Sequence, residues 1–253
     1  MKLQGKIVIV TGAASGIGRA LAARFHAEGA RLVLADLDEG AIEKVAKPLD
    51  ASWFHADVSA ESAVRSLVER TLSMHGRVDV FCSNAGILLE GGEETPDSDW
   101  QRIFGVNVMA HVYASRAVLP HMLERGDGYL LQTVSAAGLL SQIGSAPYAV
   151  TKHAALAFAE WLSITYGGRG IRVSAVCPMG VRTPMLEQGD SPIARFLSAS
   201  SIAPEQVADA VMKGMEAEQF LILPHPEVEE YFRRKAAGYD RWIRGMRRLQ
   251  DSI

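Results

Sequence analysis

Cysteine is scarce in this chain, and so is any long apolar run. Only two of the 253 residues are cysteine. Both Cys82 and Cys177 stand inside apolar segments, which reads as buried thiols in a reducing compartment, with neither a disulfide nor a metal site expected. No stretch approaches the ~20 consecutive apolar residues needed to span a bilayer. The opening residues, MKLQGKIVIVTG, lack the apolar core and small-residue cleavage site of a secretory signal. These absences together predict a cytoplasmic protein. An excess of one charge is missing too: the net charge is -3, which removes the electrostatic reason to expect a nucleic-acid partner. No internal repeat or low-complexity linker divides the chain, so residues 1–253 are expected to form a single domain.

What is present is an ordinary globular composition, 48% hydrophobic and 22% charged, arranged as an alternation. Short apolar or β-branched runs at 6–12, 31–36, 52–58, 78–86, 128–135, 171–178 and 220–224 predict strands buried on both faces. Helical patterns near 16–29, 39–47, 60–75, 97–124, 147–167 and 204–217 lie between them. This order predicts an α/β fold, a doubly wound parallel sheet of Rossmann type. Residues 179–203 are too long and too rich in breakers for a plain connection, which suits a lid or binding loop. Residues 224–253 read as a helical C-terminal extension. It has apolar groups at Val228, Tyr231, Phe232, Tyr239, Trp242, Met246 and Leu249, and its other face is rich in arginine. Packing on its own subunit, covering the site and contacting a neighbour all remain open for this tail; acidic residues among the arginines favour a solvated face over a membrane-binding one.

The segment TGAASGIGRA follows the first strand and opens the first helix. Gly12, Gly16 and Gly18 remove side chains that would hold a pyrophosphate away from the backbone or the helix away from the sheet, and the helix start supplies free amide groups. Asp36 ends the second strand, where a carboxylate can accept hydrogen bonds from an adenosine ribose and would repel a 2′-phosphate. That favours NAD over NADP. Asp57, at the end of the third strand, is placed either to reach an adenine or to cap a helix.

In PYAVTKHAA, residues 147–155, Tyr148 and Lys152 stand one helical turn apart on one face. Alone, the pair reads more readily as a half-buried tyrosine and a solvated lysine. With TGAASGIG at 11–18, DV at 57–58, NAG at 84–86, Asn107, Ser135 and YAVTK at 148–152, in that order, the sequence resembles the short-chain dehydrogenase/reductase (SDR) family in its shorter form. The resemblance spans residue 6 to about 185. It implies a nicotinamide cofactor, hydride transfer between an alcohol and a carbonyl, and a catalytic tetrad of Asn107, Ser135, Tyr148 and Lys152. Cofactor contacts are implied at Gly12, Ser15, Gly16, Ile17, Gly18, Asp36, Asp57, Val58, Asn84, Ala85, Gly86, Tyr148, Lys152, Pro178, Val181 and Thr183. Two departures stand out: Met179 replaces the glycine usual in PGxVxT, and the charged tail replaces the family's glycine-rich end.

The tetrad's chemistry follows from elementary acid–base reasoning. A phenol with pKa near ~10 is a poor base at neutral pH, and a nearby ammonium favours its ionised form. Candidate substrate contacts are Ser135, Tyr148, Leu88, Leu139, Gln142, Ser145, Met179 and Met185. Few are charged, which suits an apolar secondary alcohol or ketone. The resemblance further implies a homodimer or homotetramer built through the helices at 97–124 and 147–167. A non-catalytic dinucleotide-binding regulator and an NADPH-preferring carbonyl reductase are the alternative readings.

Overall fold

The computed structural model describes residues 1–187, 189 and 191–253. Seven strands form one parallel sheet: β1 (Ile7–Thr11), β2 (Arg31–Asp36), β3 (Ser52–His55), β4 (Val80–Ser83), β5 (Gly128–Thr133), β6 (Ile171–Val176) and β7 (Leu221–Ile222). Their order across the sheet is β3-β2-β1-β4-β5-β6-β7. The chain therefore winds outward from β1 to one edge, returns, and winds to the other. The reversal between β1 and β4 leaves a crevice at the carboxyl ends of the strands.

Strand residues alternate between two cores. Ile9, Val33, Ala35, Phe81, Leu130 and Val173 pack with helices α3 (Glu61–His75), α5 (Ala110–Arg125) and α6 (Ala146–Tyr166). Val8, Val10, Leu34, Val80, Cys82 and Leu131 face the other way, onto α1 (Gly16–Ala27), α2 (Glu39–Ala46) and α9 (Pro204–Glu216). This explains the unbroken apolar runs: each side chain of a parallel central strand has a helix above or below it. Both cysteines are buried free thiols, as expected.

Three segments differ in detail from the sequence reading. The pattern at 97–124 is two helices, α4 (Asp97–Phe104) and α5, joined by a wide π-type turn over Gly105–Met109 that carries Asn107. The long loop holds two short helices, α7 (Pro184–Glu187) and α8 (Pro192–Ala199). The tail is a helix pair, α10 (Glu227–Ala237) and α11 (Tyr239–Ser252), broken at Gly238. Val228 is the tail's one fully buried apolar anchor, whereas Phe232 and Tyr239 face outward. Among the described residues no helix is long and apolar enough to cross a membrane.

At the opposite end of the sheet, the buried Asp79 accepts the Ile7 amide and is ringed by Lys6, Arg77 and Arg125. Asp127 joins the same cluster through Lys6 and Arg172.

Candidate active site

The site is built outward from the ends of β1, β4 and β5. Thr11, the last residue of β1, accepts the amides of Asn84 and Ala85 on its hydroxyl. The Asn84 side chain donates to the carbonyls of Thr11 and Gly12, and accepts the Thr133 hydroxyl. Asn84, expected at the cofactor, is thus first a stitch that fixes three strand ends relative to one another.

Between them runs the glycine turn. Gly12 has φ +63, and a Cβ there would lie 2.7 Å from Ala85 Cα; only glycine permits both the left-handed backbone and this approach. Gly18 sits behind the turn, where helix α1 meets β1. The Ser15 side chain makes no capping bond to α1, and Ser15, Gly16 and Ile17 at the start of that helix line the cleft, where first-turn amides lack intrahelical partners. Asp36 closes the turn from the side: its carboxylate accepts the Ala14 and Asp38 amides. A carboxylate has about four acceptor sites, so two remain for a ligand. Asp57 also does local work, with one oxygen bound to the Ser59 amide and hydroxyl.

The catalytic end lies across β5. Ser135 follows that strand and opens a tight turn, Ala136–Gly138, whose Ala137 amide it caps at 3.0 Å. Gly138 allows this turn to rest on helix α6, since a Cβ there would lie 2.6 Å from the Lys152 carbonyl. Helix α6 presents Tyr148 and Lys152 toward the turn. The Lys152 ammonium lies 5.6 Å from the Tyr148 ring centroid and donates to the Thr133 carbonyl at 3.2 Å. Asn107 is fully buried behind them. Its side chain pairs with both backbone groups of Ile87 and donates to Thr151 on α6, so it ties the π-type turn to that helix and does not itself line the cleft.

Burial dominates the electrostatics here. It pushes the Tyr148 phenol above its ordinary value, while the neighbouring Ser135 hydroxyl pulls it back. Burial pushes Lys152 down to about 8. His111, one turn beyond Asn107, is pushed down to about 3 by burial and then by the Lys152 charge. In the protein by itself the phenol is therefore held protonated, against the expectation that the lysine alone would favour phenolate.

A continuous cleft of about 1100 Å³ joins the two ends. Gly12, Ser15, Gly16, Ile17, Asp36, Asp57, Val58, Asn84, Ala85 and Gly86 line one part. Ser135, Tyr148, Lys152, Pro178, Val181 and Thr183 line the other, with Leu88, Gln142, Met179 and Met185 nearby. An elongated dinucleotide fits this cleft: a carboxylate for the adenosine ribose at Asp36, then the start of α1 for the pyrophosphate, then the Tyr–Lys–Ser group.

Two expected substrate contacts need correction. Leu139 is turned into the core, and its neighbour Leu140 lines the cleft instead, because the turn after Ser135 buries one of the two leucines against α6. Ser145 does reach the cleft wall, but its hydroxyl is engaged in capping α6: it accepts the Tyr148 amide and donates to the Leu89 carbonyl.

Two residues escaped the sequence reading. His225 accepts the Met179 amide on Nδ1 and donates from Nε2 to the Gly180 carbonyl, each at 3.1 Å, so it latches the Pro178–Gly180 segment that carries the unusual methionine. Lys235, on α10, donates to the carbonyls of Leu139 and Leu140. Neither position has a local pattern that betrays a contact made across the fold.

Known proteins resemble the chain in the same regions. The sequence matches the short chain dehydrogenase family over residues 6–193. It is 37% identical over 236 residues to 1-deoxy-11-beta-hydroxypentalenate dehydrogenase of Streptomyces exfoliatus, covering 90% of this chain and 86% of that one. It is 38% identical over 221 residues to meso-2,3-butanediol dehydrogenase of Serratia marcescens, covering 84% and 87%. Among solved structures, a short chain dehydrogenase/reductase from Burkholderia phymatum in complex with NAD superposes with a TM-score of 0.88 at 28% identity, over 95% of this chain and 96% of that one. By its matched sequence and its sheet, the chain belongs to the short chain dehydrogenase family of oxidoreductases.

Proposed function

We propose that the protein is an NAD-dependent dehydrogenase, a single-domain enzyme that interconverts an apolar secondary alcohol and its ketone. The observation that carries this reading is the continuity of one cleft from the glycine turn and Asp36 to Ser135, Tyr148 and Lys152. The similarity to enzymes named for hydroxypentalenate and butanediol supports a CH–OH substrate, and the NAD-bound structural relative supports the cofactor.

A bound nicotinamide would supply the acceptor or donor for the hydride at the substrate carbon. Every other task falls to the chain. The α1 amides and the Gly12 turn would hold the pyrophosphate, and Asp36 would accept the adenosine ribose hydroxyls. Ser135 hydrogen-bonds the substrate oxygen and fixes it beside the phenol. Tyr148 takes the alcohol proton in oxidation and donates its own in reduction. Lys152 stabilises the phenolate by charge and reaches the nicotinamide ribose. Asn107 holds the α4–α5 turn against α6, so that the lysine keeps its place. The pocket wall is mainly apolar, with Leu88, Met179 and Met185 on it, which suits a steroid-like, long-chain or aromatic substrate over a phosphorylated one. Outward apolar residues on α4 and α6, Phe104, Val150, Trp161 and Ile164, support a homodimer or homotetramer through those helices, and the chain's composition supports a cytoplasmic site of action.

Following nicotinamide absorbance with NAD and a panel of secondary alcohols tests the reaction. Turnover is expected to fall by at least ~10²-fold in Tyr148→Phe, the scale of losing a positioned acid–base group, with NADH affinity kept. Unchanged turnover would remove the tyrosine from the mechanism. Asp36→Asn tests the cofactor choice: its one amide oxygen can still accept the Ala14 amide, the bond from the Asp38 amide is given up, and the charge is deleted. NADPH affinity is expected to rise relative to NADH. Tighter NADPH than NADH binding by the unaltered protein would refute the NAD assignment.

A further inference from the structure

The helical tail has no role in the hydride chemistry, yet it reaches the same cleft. Trp242, Gly245, Met246 and Leu249 of α11 line the cavity that Ser135 and Tyr148 line, as do Tyr231 and Arg234 of α10. The α11 residues recur at helical spacing along one face, and Arg241, Arg244, Arg247 and Arg248 project elsewhere. No residue of α11 is fully buried. Its apolar face therefore meets the cavity more than it meets a packed core.

Lys235 holds this helix pair in position. The side chain is almost wholly buried, with the residue 7% exposed. Its ammonium donates at 2.6 Å to the Leu139 carbonyl and at 3.1 Å to that of Leu140, and these follow the turn that begins at Ser135. The same ammonium lies 4.9 Å from the Trp242 ring centroid and 5.5 Å from that of Tyr239, within the range of cation–π attraction. A buried cation needs such partners. One group thus connects the catalytic turn, α10 and the first turn of α11.

We propose that α11 is the roof of the substrate pocket, and that Trp242, Met246 and Leu249 select an extended apolar chain on the substrate. Lys235 is the positioning residue that seats the roof. The proposal rests on the dehydrogenase reading above and names the part of the substrate which that reading leaves open. Gly245 marks the depth of the space beneath the roof: a Cβ there would meet only Arg248 Nη2, at 3.8 Å. Because Gly245 itself lines the cavity and its Cβ position is open, a larger side chain at 245 has space to begin filling it.

The test is a titration of 2-alkanols, from 2-butanol to 2-decanol, into the NADH-loaded protein. This complex cannot turn over, so binding is read without assuming the reaction. Affinity is expected to rise about threefold to fourfold per added methylene, the gain from removing one methylene from water, until the chain fills the cavity. In Trp242→Ala and Lys235→Met the preference for 2-decanol over 2-butanol should drop by about tenfold. Gly245→Leu should move the plateau to shorter chains, and Arg247→Ser, on the outer face, should leave the series as it was. Affinity that does not grow with chain length in the unaltered protein would overturn the proposal. So would a uniform loss across the series in Trp242→Ala, or an unmoved plateau in Gly245→Leu. Absorbance measurements with NAD on the same alcohols report separately: a chain-length series without turnover would refute the dehydrogenase reading and leave the roof standing.

Discussion

At the scale of single residues, the acid–base group is governed by two opposed effects of burial. The Tyr148 phenol is pushed up and the Lys152 ammonium down to about 8. Raised phenol pKa keeps the proton on Tyr148 through neutral pH, which is the state ketone reduction uses. Lys152 loses its charge as pH climbs through about 8, and with it the attraction that favours phenolate. Reduction is therefore expected to hold steady through pH 8 and beyond, because a neutral Lys152 leaves the proton still more firmly on Tyr148. By contrast, kcat/KM for alcohol oxidation should climb toward alkaline pH as the phenol ionises, less steeply above about 8 where the lysine charge is lost. Profiles of kcat/KM in both directions check this; an oxidation rate that fell between pH 7 and 8 would contradict the assignment of Tyr148 as its base. The tyrosine and lysine were legible only in company with the other ordered motifs, and the glycines from their place after a strand. His225 and Lys235 were not, because each acts on backbone some 45 and 95 residues away in the chain. Contacts of that range leave no mark on their neighbours in sequence.

Among the elements, helix α6 shows how local chemistry aims a functional side chain. Ser145 stands at its N-cap and Pro147 in its first turn, a start signal readable from the residues. The same serine, a candidate substrate contact by its position, spends its hydroxyl on the cap. The cap is bonded to the amide of Tyr148 itself. Ser145→Ala is expected to cost about 1 kcal/mol, lowering Tm by roughly 2–4 °C for a domain of this size. Because the freed turn carries the phenol, kcat should fall as well, and Ser145→Thr should restore much of both. Thermal melts beside steady-state kinetics would show it. The seven strands and the helices between them were legible in order, since the periods of apolar residues change from strand to helix, but the two short helices α7 and α8 were not, because breakers crowd the loop that holds them. The break at Gly238 was not, because an apolar stripe continues across it; nor was the π-type turn at Gly105–Met109, where a single widened turn leaves the helical pattern intact.

For the molecule as a whole, stability is tied to a histidine that burial keeps neutral in the folded state down to about pH 3. His111 is buried on α5, and both its ring nitrogens lack a hydrogen-bond partner among the described residues. Its pKa lies at about 3 in the fold, against the ordinary 6.5. Between those values the unfolded chain binds the extra proton, so stability must rise with pH through that window and fall on acidification. Denaturant melts are expected to show a steady loss of stability from pH 6.5 downward, and His111→Leu should flatten that slope. An unaltered slope in the variant would place the acid sensitivity in other groups.

The positions of the two ends of the cleft along the chain carry a consequence for how such a protein changes over generations. Residues around the phenol and the glycine turn all come before 187, while the helix pair above the cavity comes after 226 and adds no strand to the sheet. Recombination near codon 225 would therefore hand a descendant a different ceiling over an inherited reaction centre. Diversification by exchanging the last thirty residues, with the seven strands untouched, is a route this architecture leaves open to both nature and the protein engineer.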